Sequence, residues 1–142
     1  MSKKANGTTA KPVMKNLRFG CDWKTANNIC CYNRHYAEHS GYAFSSSRTW
    51  VQECQASDEI KYYDSVTGEL LFIAPKGRTM QEFLNESRAH GWPSFRDEEV
   101  VWDRVRCLSN GEAVSLDGTH LGHNLPDSKG NRYCINLVSV AG

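Results

Sequence analysis

The chain is 142 residues long, which is enough for one domain with its own hydrophobic core. Hydrophobic residues make up 39% of the chain and charged residues 23%, the proportions of a folded rather than a disordered protein. The formal net charge is only +1, which argues against nucleic acid as a partner. No apolar run approaches 18 residues, so we expect no membrane partner either.

The N-terminal segment differs in composition from the rest of the chain. Residues 1–17 contain four lysines, no acidic residue and no apolar run of the secretory kind. We therefore predict a flexible basic tail over 1–18 and a single domain over 19–142. We expect a cytoplasmic monomer, with an organellar location as the alternative.

In chain order, the first predicted elements are a helix, a hairpin and a second helix. Residues 25–38 have helix-compatible composition with few breakers. Two short β-rich runs, 61–65 and 69–74, flank Thr67-Gly68 and predict a β-hairpin. Thr79 is a candidate N-cap for a helix over 80–89.

The C-terminal half predicts strands. Residues 100–108 and 112–116 flank Asn110-Gly111, a strong hairpin signal. A turn over 127–131 precedes a final strand over 133–140. Closely spaced strands with few helices predict a mainly β domain rather than a doubly wound one.

The cysteines show no metal-binding or thioredoxin spacing, because no two form a Cys-x-x-Cys pair. Without a secretory signal, we expect a reducing compartment and mostly unpaired thiols. At least one thiol could then serve chemistry, although buried inert cysteine is the alternative. The six are Cys21, Cys30, Cys31, Cys54, Cys107 and Cys134.

The final strand places one of these thiols in polar surroundings. Side chains alternate between faces with period two, so Arg132, Cys134 and Asn136 share one face. An ordinary thiol, with a pKa of ~8.5, is only about 3% thiolate at pH 7. A nearby guanidinium that lowered the pKa by ~2 units would raise this to about three-quarters. The alternative is a buried spacer thiol beside a surface charge, and the strand pattern alone favours that alternative.

Three motifs change this assessment. Gly-Trp-Pro-Ser-Phe stands at 91–95, His-Leu-Gly-His at 120–123 and Arg-Tyr-Cys-Ile-Asn at 132–136. In identity and order they resemble the signatures of the methionine-R-sulfoxide reductase (MsrB) family, most strongly over 60–142. The resemblance implies two antiparallel sheets in a barrel-like or tent-like arrangement, with short N-terminal helices.

The resemblance also implies roles for individual residues. Cys134 would be the nucleophile that attacks the sulfoxide sulfur and becomes a sulfenic acid. The histidines His120 and His123 would bind water and the substrate oxygen and supply the proton. Trp92 and Phe95 would contact the substrate, and the residues that orient and polarise the thiol would be Arg132 and Asn136. Core packing is the alternative for the tryptophan and the histidines, and a metal half-site is a further, weak alternative for the two histidines.

Zinc-bearing members of this family carry two cysteine pairs that are absent here. Their positions correspond to Asp64 and Thr67, and to Val114 and Asp117. Two acids do not fill a coordination sphere. We therefore expect a zinc-free member with no metal and no cofactor.

The recycling route is left open by the sequence. Many family members place a resolving cysteine directly before Gly-Trp-Pro-Ser-Phe, where this chain has His90. Cys107 is our candidate resolver, with an upstream cysteine or a direct external thiol, such as a thioredoxin-like reductant, as alternatives. Asn124-Leu125 also departs from the family pattern. The competing function is a binding module that retains the pocket but has lost redox turnover.

Overall fold

The computed structural model describes residues 12–31, 48–90 and 92–142. Its α-helices are α1 (Trp23–Cys31), α2 (Arg48–Gln55) and α3 (Met80–His90). Its strands are β1 (Ile60–Tyr63), β2 (Leu70–Ala74), β3 (Ser94–Phe95), β4 (Val105–Cys107), β5 (Glu112–Ser115), β6 (His120–Asn124) and β7 (Tyr133–Ile135). Short 3₁₀ turns cover Asp97–Glu99 and Leu137–Ser139. No helix in the described ranges is long and apolar enough to cross a membrane.

The strands form two antiparallel sheets, as predicted for a mainly β domain. β1 and β2 make a two-stranded sheet, and the five-stranded sheet has the order β3-β7-β6-β5-β4. β7 is therefore flanked on both sides, by β3 and by β6. The barrel-like or tent-like closure stays a prediction.

The two predicted hairpins are confirmed, with shorter strands than the sequence indicated. β1 pairs with β2 in register Ile60↔Ala74, and Gly68 in the turn has a φ of 77°. β4 pairs with β5, and Gly111 in their turn has a φ of 89°. In both turns glycine avoids the Cβ strain of a positive φ.

The predicted helix over 80–89 is confirmed as α3, and a capping box begins it. The Glu82 backbone N–H donates to the Thr79 hydroxyl at 3.1 Å, and the Thr79 N–H donates to the Glu82 carboxylate at 2.9 Å. Phe83 and Leu84 are buried on the inner face of this helix.

The prediction of a strand over 133–140 is wrong beyond Ile135. After Asn136, whose backbone N–H donates to the Leu121 carbonyl at 2.8 Å, the chain passes the end of β6 at His120. There it turns into the 3₁₀ segment Leu137–Ser139 and bonds to residues at the end of β1 instead: the Ser65 N–H donates to the Ser139 carbonyl at 3.0 Å, and the Gly142 N–H donates to the Tyr63 carbonyl at 3.0 Å.

The N-terminal predictions are confirmed only in part. Helix α1 covers Trp23–Cys31, and the remainder of the predicted helix, residues 32–38, lies outside the described residues. The prediction of a flexible tail is wrong for residues 12–18. Val13 is 3% exposed in a small apolar cluster, and the backbone N–H of Met14 donates to the Ser65 carbonyl at 2.8 Å. Burial of apolar side chains in this short segment holds it to the domain.

The main core is aromatic and joins both sheets to the helices. Phe95 stacks on Phe72 with ring centroids 4.3 Å apart and meets Tyr62 edge-on at 5.1 Å. Trp50 of α2 meets Phe83 of α3 edge-on at 6.1 Å. This cluster anchors β3, and β3 in turn flanks β7 along its outer side.

Candidate active site

Cys134 lies at the centre of β7 with a neighbour on each side. Ser94 of β3 and His123 of β6 are its direct cross-strand partners. The Cys134 side chain is 7% exposed, and Arg132 Nη1 donates a hydrogen bond to its Sγ at 2.6 Å. A guanidinium this close to sulfur stabilises the thiolate over the thiol.

A bulge in β6 places both motif histidines on the face of Cys134. Ala113 pairs with Gly122 but Val114 pairs with His120, so Leu121 is an extra residue with no partner on β5. Without it, strand alternation would send residues 120 and 123 to opposite faces. With it, both imidazoles lie on one face.

His120 is held by a buried carboxylate. Its Nδ1 lies 2.7 Å from Glu112 Oε2, and Glu112 is itself directly opposite His123 in the sheet. The His120 side chain is fully buried, and within the described parts of the chain its Nε2 has no hydrogen-bond partner. Glu112 therefore fixes the ring orientation of His120.

Asn136 completes this face from the end of β7. Its Nδ2 donates to the Leu121 carbonyl at 3.1 Å, which fixes the amide orientation. Its Oδ1 is buried and, among the described residues, has no hydrogen-bond partner. That oxygen can accept a hydrogen bond from a bound group.

A small cavity opens over the thiol. Its volume is about 160 Å³, and it is lined by Trp92, Gly122, His123, Leu125, Cys134 and Asn136. Pockets for drug-sized ligands span roughly 300–1,000 Å³. This cavity therefore has the size of a single side chain, with an indole wall and the thiol, imidazole and amide groups around it.

The structure brings most of the predicted site residues together, but Phe95 and Cys107 lie elsewhere. Phe95 is fully buried and pairs with Tyr133, so strand alternation turns it to the core face, opposite Cys134. The expected substrate contact of Phe95 is therefore wrong. His120 lies on the face of Cys134 but is fully buried and does not line the cavity.

The prediction of Cys107 as resolver is also wrong in this conformation. Cys107 stands on β4, three strands away from β7, which corresponds to roughly 14 Å at a spacing of about 4.8 Å. Cys107 pairs with Ala113, Ala113 pairs with Gly122, and Gly122 pairs with Ile135, so all four residues share one face of the sheet. Cys134 precedes Ile135 and therefore lies on the opposite face. A disulfide needs Cα atoms within about 7 Å.

Two glycines shape the site in a way that the motifs alone did not explain. A Cβ on Gly122 would overlap the Cys134 carbonyl oxygen, so glycine permits the close approach of β6 to β7. A Cβ on Gly111 would overlap the His123 imidazole ring. The Asn110-Gly111 turn signal could have identified the second position, but not its contact with His123.

The positions of the missing zinc ligands do not fit a metal. The fully buried Asp64 carboxylate accepts hydrogen bonds from the Thr119 hydroxyl at 2.9 and 3.0 Å and from the Val66 N–H at 2.8 Å. Val114 is buried and apolar, and Asp117 is exposed. Among the described residues, no group of three or more His, Cys, Asp or Glu side chains is placed to hold a metal ion.

A second, larger cavity of about 660 Å³ lies between α3 and the turn over 127–131. Its two arginines, Arg78 and Arg96, are paired with carboxylates. It contains no cysteine and none of the cavity-lining residues around Cys134. The smaller cavity, with its thiol and polarising groups, is therefore the candidate active site.

The fold and this cavity define a β domain with a cysteine-centred site, and comparison with known proteins places it further. Two curated relatives, both named peptide methionine sulfoxide reductase MsrB, are similar to the chain over 61 residues. The one from Methanosarcina mazei is 41% identical over 35% of this chain and 43% of its own length. The one from Methanosarcina barkeri is 44% identical over 35% of this chain and 42% of its own length.

The chain therefore resembles these MsrB relatives in sequence over 35% of its length, and its fold is mainly β and antiparallel. The match spans about two-fifths of the length of these relatives. No family model matches the chain.

Proposed function

We propose that the chain reduces methionine-R-sulfoxide to methionine, with Cys134 as the nucleophile. The observation that carries this proposal is the 2.6 Å hydrogen bond from Arg132 Nη1 to Cys134 Sγ at a cavity of side-chain size. The MsrB relatives supply the reaction class. Free and protein-bound methionine sulfoxide both belong to the proposed substrate class.

Each residue around the cavity has a place in this reaction. The Trp92 indole offers an apolar wall for the methyl group of the sulfoxide. His123, which also lines the cavity, supplies the proton to the sulfoxide oxygen, as suits an imidazole near neutral pH. Asn136 Oδ1 accepts a hydrogen bond from the resulting hydroxyl.

The proposed chemical step transfers one oxygen atom. The Cys134 thiolate attacks the sulfoxide sulfur and forms an S–S bond while the oxygen takes a proton. The S–O bond of the substrate and the S–S bond then break as the hydroxyl transfers to the Cys134 sulfur, so that methionine leaves and Cys134 becomes a sulfenic acid. The cysteine sulfur is oxidised by two electrons and the methionine sulfur is reduced by two. One external thiol then condenses with the sulfenic acid and releases water, and a second thiol reduces the resulting disulfide. A thioredoxin-like protein is the reductant we propose.

The test is reduction of separate R and S epimers of a dabsylated methionine sulfoxide by the purified chain with dithiothreitol. We expect consumption of the R epimer and not of the S epimer. Equal consumption of both epimers would overturn the stereochemical assignment, and no consumption of either would overturn the reductase assignment.

A binding module is the second candidate, because Leu125 departs from the family pattern and is 42% exposed at the cavity. In that case a peptide containing methionine-R-sulfoxide would bind, with a measurable Kd by calorimetry, and would be recovered unreduced in the presence of dithiothreitol.

A further inference from the structure

An ion-pair network leads from α3 to the reactive thiol. Arg78 pairs with Glu99 at 2.7 Å and with Glu86 at 2.8 Å. Glu86 also contacts Arg96, whose Nε donates to its Oε1 at 3.1 Å. The side chains of these residues and of Arg132 are at most 13% exposed, whereas the Asp127 side chain, which joins Arg96 to Arg132, is 33% exposed.

Asp127 stands between two guanidinium groups. Arg96 Nη1 and Nη2 donate to its two carboxylate oxygens, each at 3.0 Å. On the other side, Arg132 Nε lies 3.8 Å from Asp127 Oδ2, which is beyond a hydrogen bond. The Arg96 hydrogen bonds hold the pKa of the Asp127 carboxyl well below its usual range. Asp127 is therefore ionised, and it is bound to Arg96 in preference to Arg132.

This preference matters because Arg132 also donates to Cys134 Sγ. A carboxylate that paired fully with Arg132 would offset the positive charge that acts on the sulfur. The network contains the guanidinium groups of Arg78, Arg96 and Arg132 and the carboxylates of Glu86, Glu99 and Asp127, so its formal charges cancel only while Arg96 is present.

We propose that Arg96 is a positioning residue for the active site: it retains Asp127 and so leaves the charge of Arg132 directed at the Cys134 thiolate. This inference rests on the proposed role of Cys134 as nucleophile. Arg96 contacts neither the thiol nor the cavity lining, and it acts through Asp127 and Arg132.

Other charged or titratable groups also face Cys134. Glu112 of β5 and His120 and His123 of β6 lie on its face of the sheet, while β3 contributes the uncharged Ser94. These groups are unchanged in every variant below. A difference between variants therefore reports on Arg96, Asp127 and Arg132.

The test measures the pH midpoint for alkylation of Cys134 by iodoacetamide, followed by mass spectrometry of its peptide. We expect Arg96→Gln to raise the midpoint by about 0.5–1 pH unit, because Asp127 then offsets Arg132. Asp127→Asn should lower it, and the double variant should match Asp127→Asn, because without the Asp127 carboxylate Arg96 has nothing to hold away from Arg132. Arg104→Gln, which removes one positive charge from an exposed pair with Glu69, is the control and should not shift it.

The opposite signs separate this role from a structural one, since damage to the fold would move both single variants in the same direction. Unchanged midpoints, shifts of the same sign, or a double variant whose midpoint differs from that of Asp127→Asn would overturn the proposal. If Arg96→Gln does not fold, Asp127→Asn still decides, because removal of the carboxylate that lies 3.8 Å from Arg132 must lower the midpoint. Alkylation needs no sulfoxide turnover, so failure here is distinct from failure of the proposed function.

Discussion

His123 lies directly opposite Cys134 in the β6–β7 ladder, and both residues line the same small cavity. Direct cross-strand partners project to the same face of a sheet, so the ladder itself brings imidazole and thiol together. The Leu121 bulge then adds His120 and its partner Glu112 to this face. Strand register on β5, β6 and β7 thus places the thiol, both imidazoles and Glu112, while Trp92, Leu125 and Asn136 complete the cavity from positions just outside the strands.

Loss of the Cys134 thiol should abolish turnover. Cys134→Ser replaces the thiolate by a hydroxyl that stays protonated at neutral pH and is a far weaker nucleophile. We expect activity with dithiothreitol to fall to background in the sulfoxide assay. The matched control is Cys107→Ser on β4, which should keep full turnover because that thiol lies on the other face of the sheet. Residual activity in Cys134→Ser would show that the nucleophile is assigned wrongly.

Crowding of His123 should impair catalysis without direct change of a catalytic group. In Gly111→Ala the new Cβ would overlap the His123 ring, so the imidazole must move. We expect kcat/KM to fall by about 10–100-fold, since misplacement of a proton donor by about 1 Å is costly.

Gly130→Ala is the control for this substitution. Gly130 also has a positive φ, 114°, but a Cβ there meets nothing within 4 Å. Both variants therefore carry backbone strain, and only the first displaces His123. Equal loss of activity in the two would mean that strain, not the position of His123, is responsible.

The sequence predicts which residues of β7 face the core, but it does not predict which residues of the neighbouring strand β3 do. The period-two alternation that set Cys134 on one face of the final strand leaves Tyr133 and Ile135 on the other face, and both are buried in the core. The same rule would also have assigned Phe95 of β3 to the core face, but only if its pairing with Tyr133 had been known. Register depends on long-range pairing, which one sequence does not contain.

The bulge and the pairing of His120 were beyond sequence reasoning for a related reason. Nothing in His-Leu-Gly-His indicates that Leu121 is unpaired on β5, because a bulge is defined by two strands. Glu112 looked like an ordinary strand residue, and only the folded sheet places its carboxylate 2.7 Å from His120. Cys107 was a candidate resolver only because it is close to Cys134 in sequence, and closeness in sequence did not mean closeness in space.

Thiol chemistry should distinguish Cys134 from three other cysteines. Burial raises the pKa of Cys21 and of Cys54 to about 12, and it also raises the pKa of Cys107. These thiols are therefore protonated below pH 8, while Arg132 favours the thiolate of Cys134. Brief iodoacetamide treatment at pH 7 should label Cys134 first, as read by peptide mass spectrometry. Faster labelling of exposed Cys107 would contradict the activation of Cys134.

After one equivalent of methionine-R-sulfoxide without reductant, no Cys134–Cys107 disulfide should form. The two thiols stand on opposite faces of the sheet, three strands apart. We expect dimedone, which reacts with sulfenic acids, to label Cys134 in this state. A Cys134–Cys107 peptide in the mass spectrum would require a rearrangement of β4 and would contradict the register described above.

Purified chain should contain well under one zinc per molecule, and a chelator should not lower its Tm. Asp64 uses both carboxylate oxygens within the protein, and Val114 offers no ligand atom. Elemental analysis and thermal unfolding with and without EDTA are the measurements. About one zinc per chain, together with a chelator-dependent Tm, would show that a metal site exists after all.

Thr119→Val should destabilise the fold by removing the hydrogen bonds that join the β1–β2 hairpin to the start of β6. Asp64 and Thr119 are both fully buried, and the hydroxyl is 2.9 and 3.0 Å from the two carboxylate oxygens. Valine keeps the shape but leaves a buried carboxylate with only the Val66 N–H, which costs about 1–3 kcal/mol. Thr67→Val in the same hairpin is the control: it loses a 3.3 Å hydrogen bond from the Glu69 N–H, but at an exposed position where water can replace it, so the free energy of unfolding should change by at most about 0.5 kcal/mol. Urea unfolding measures the free energy of unfolding of both variants. Because Thr119 directly precedes His120, the sulfoxide assay on folded Thr119→Val shows whether the Thr119–Asp64 hydrogen bonds also position β6. Equal stability of the two variants would mean that Asp64 finds another partner and that this contact does not join the hairpin to β6.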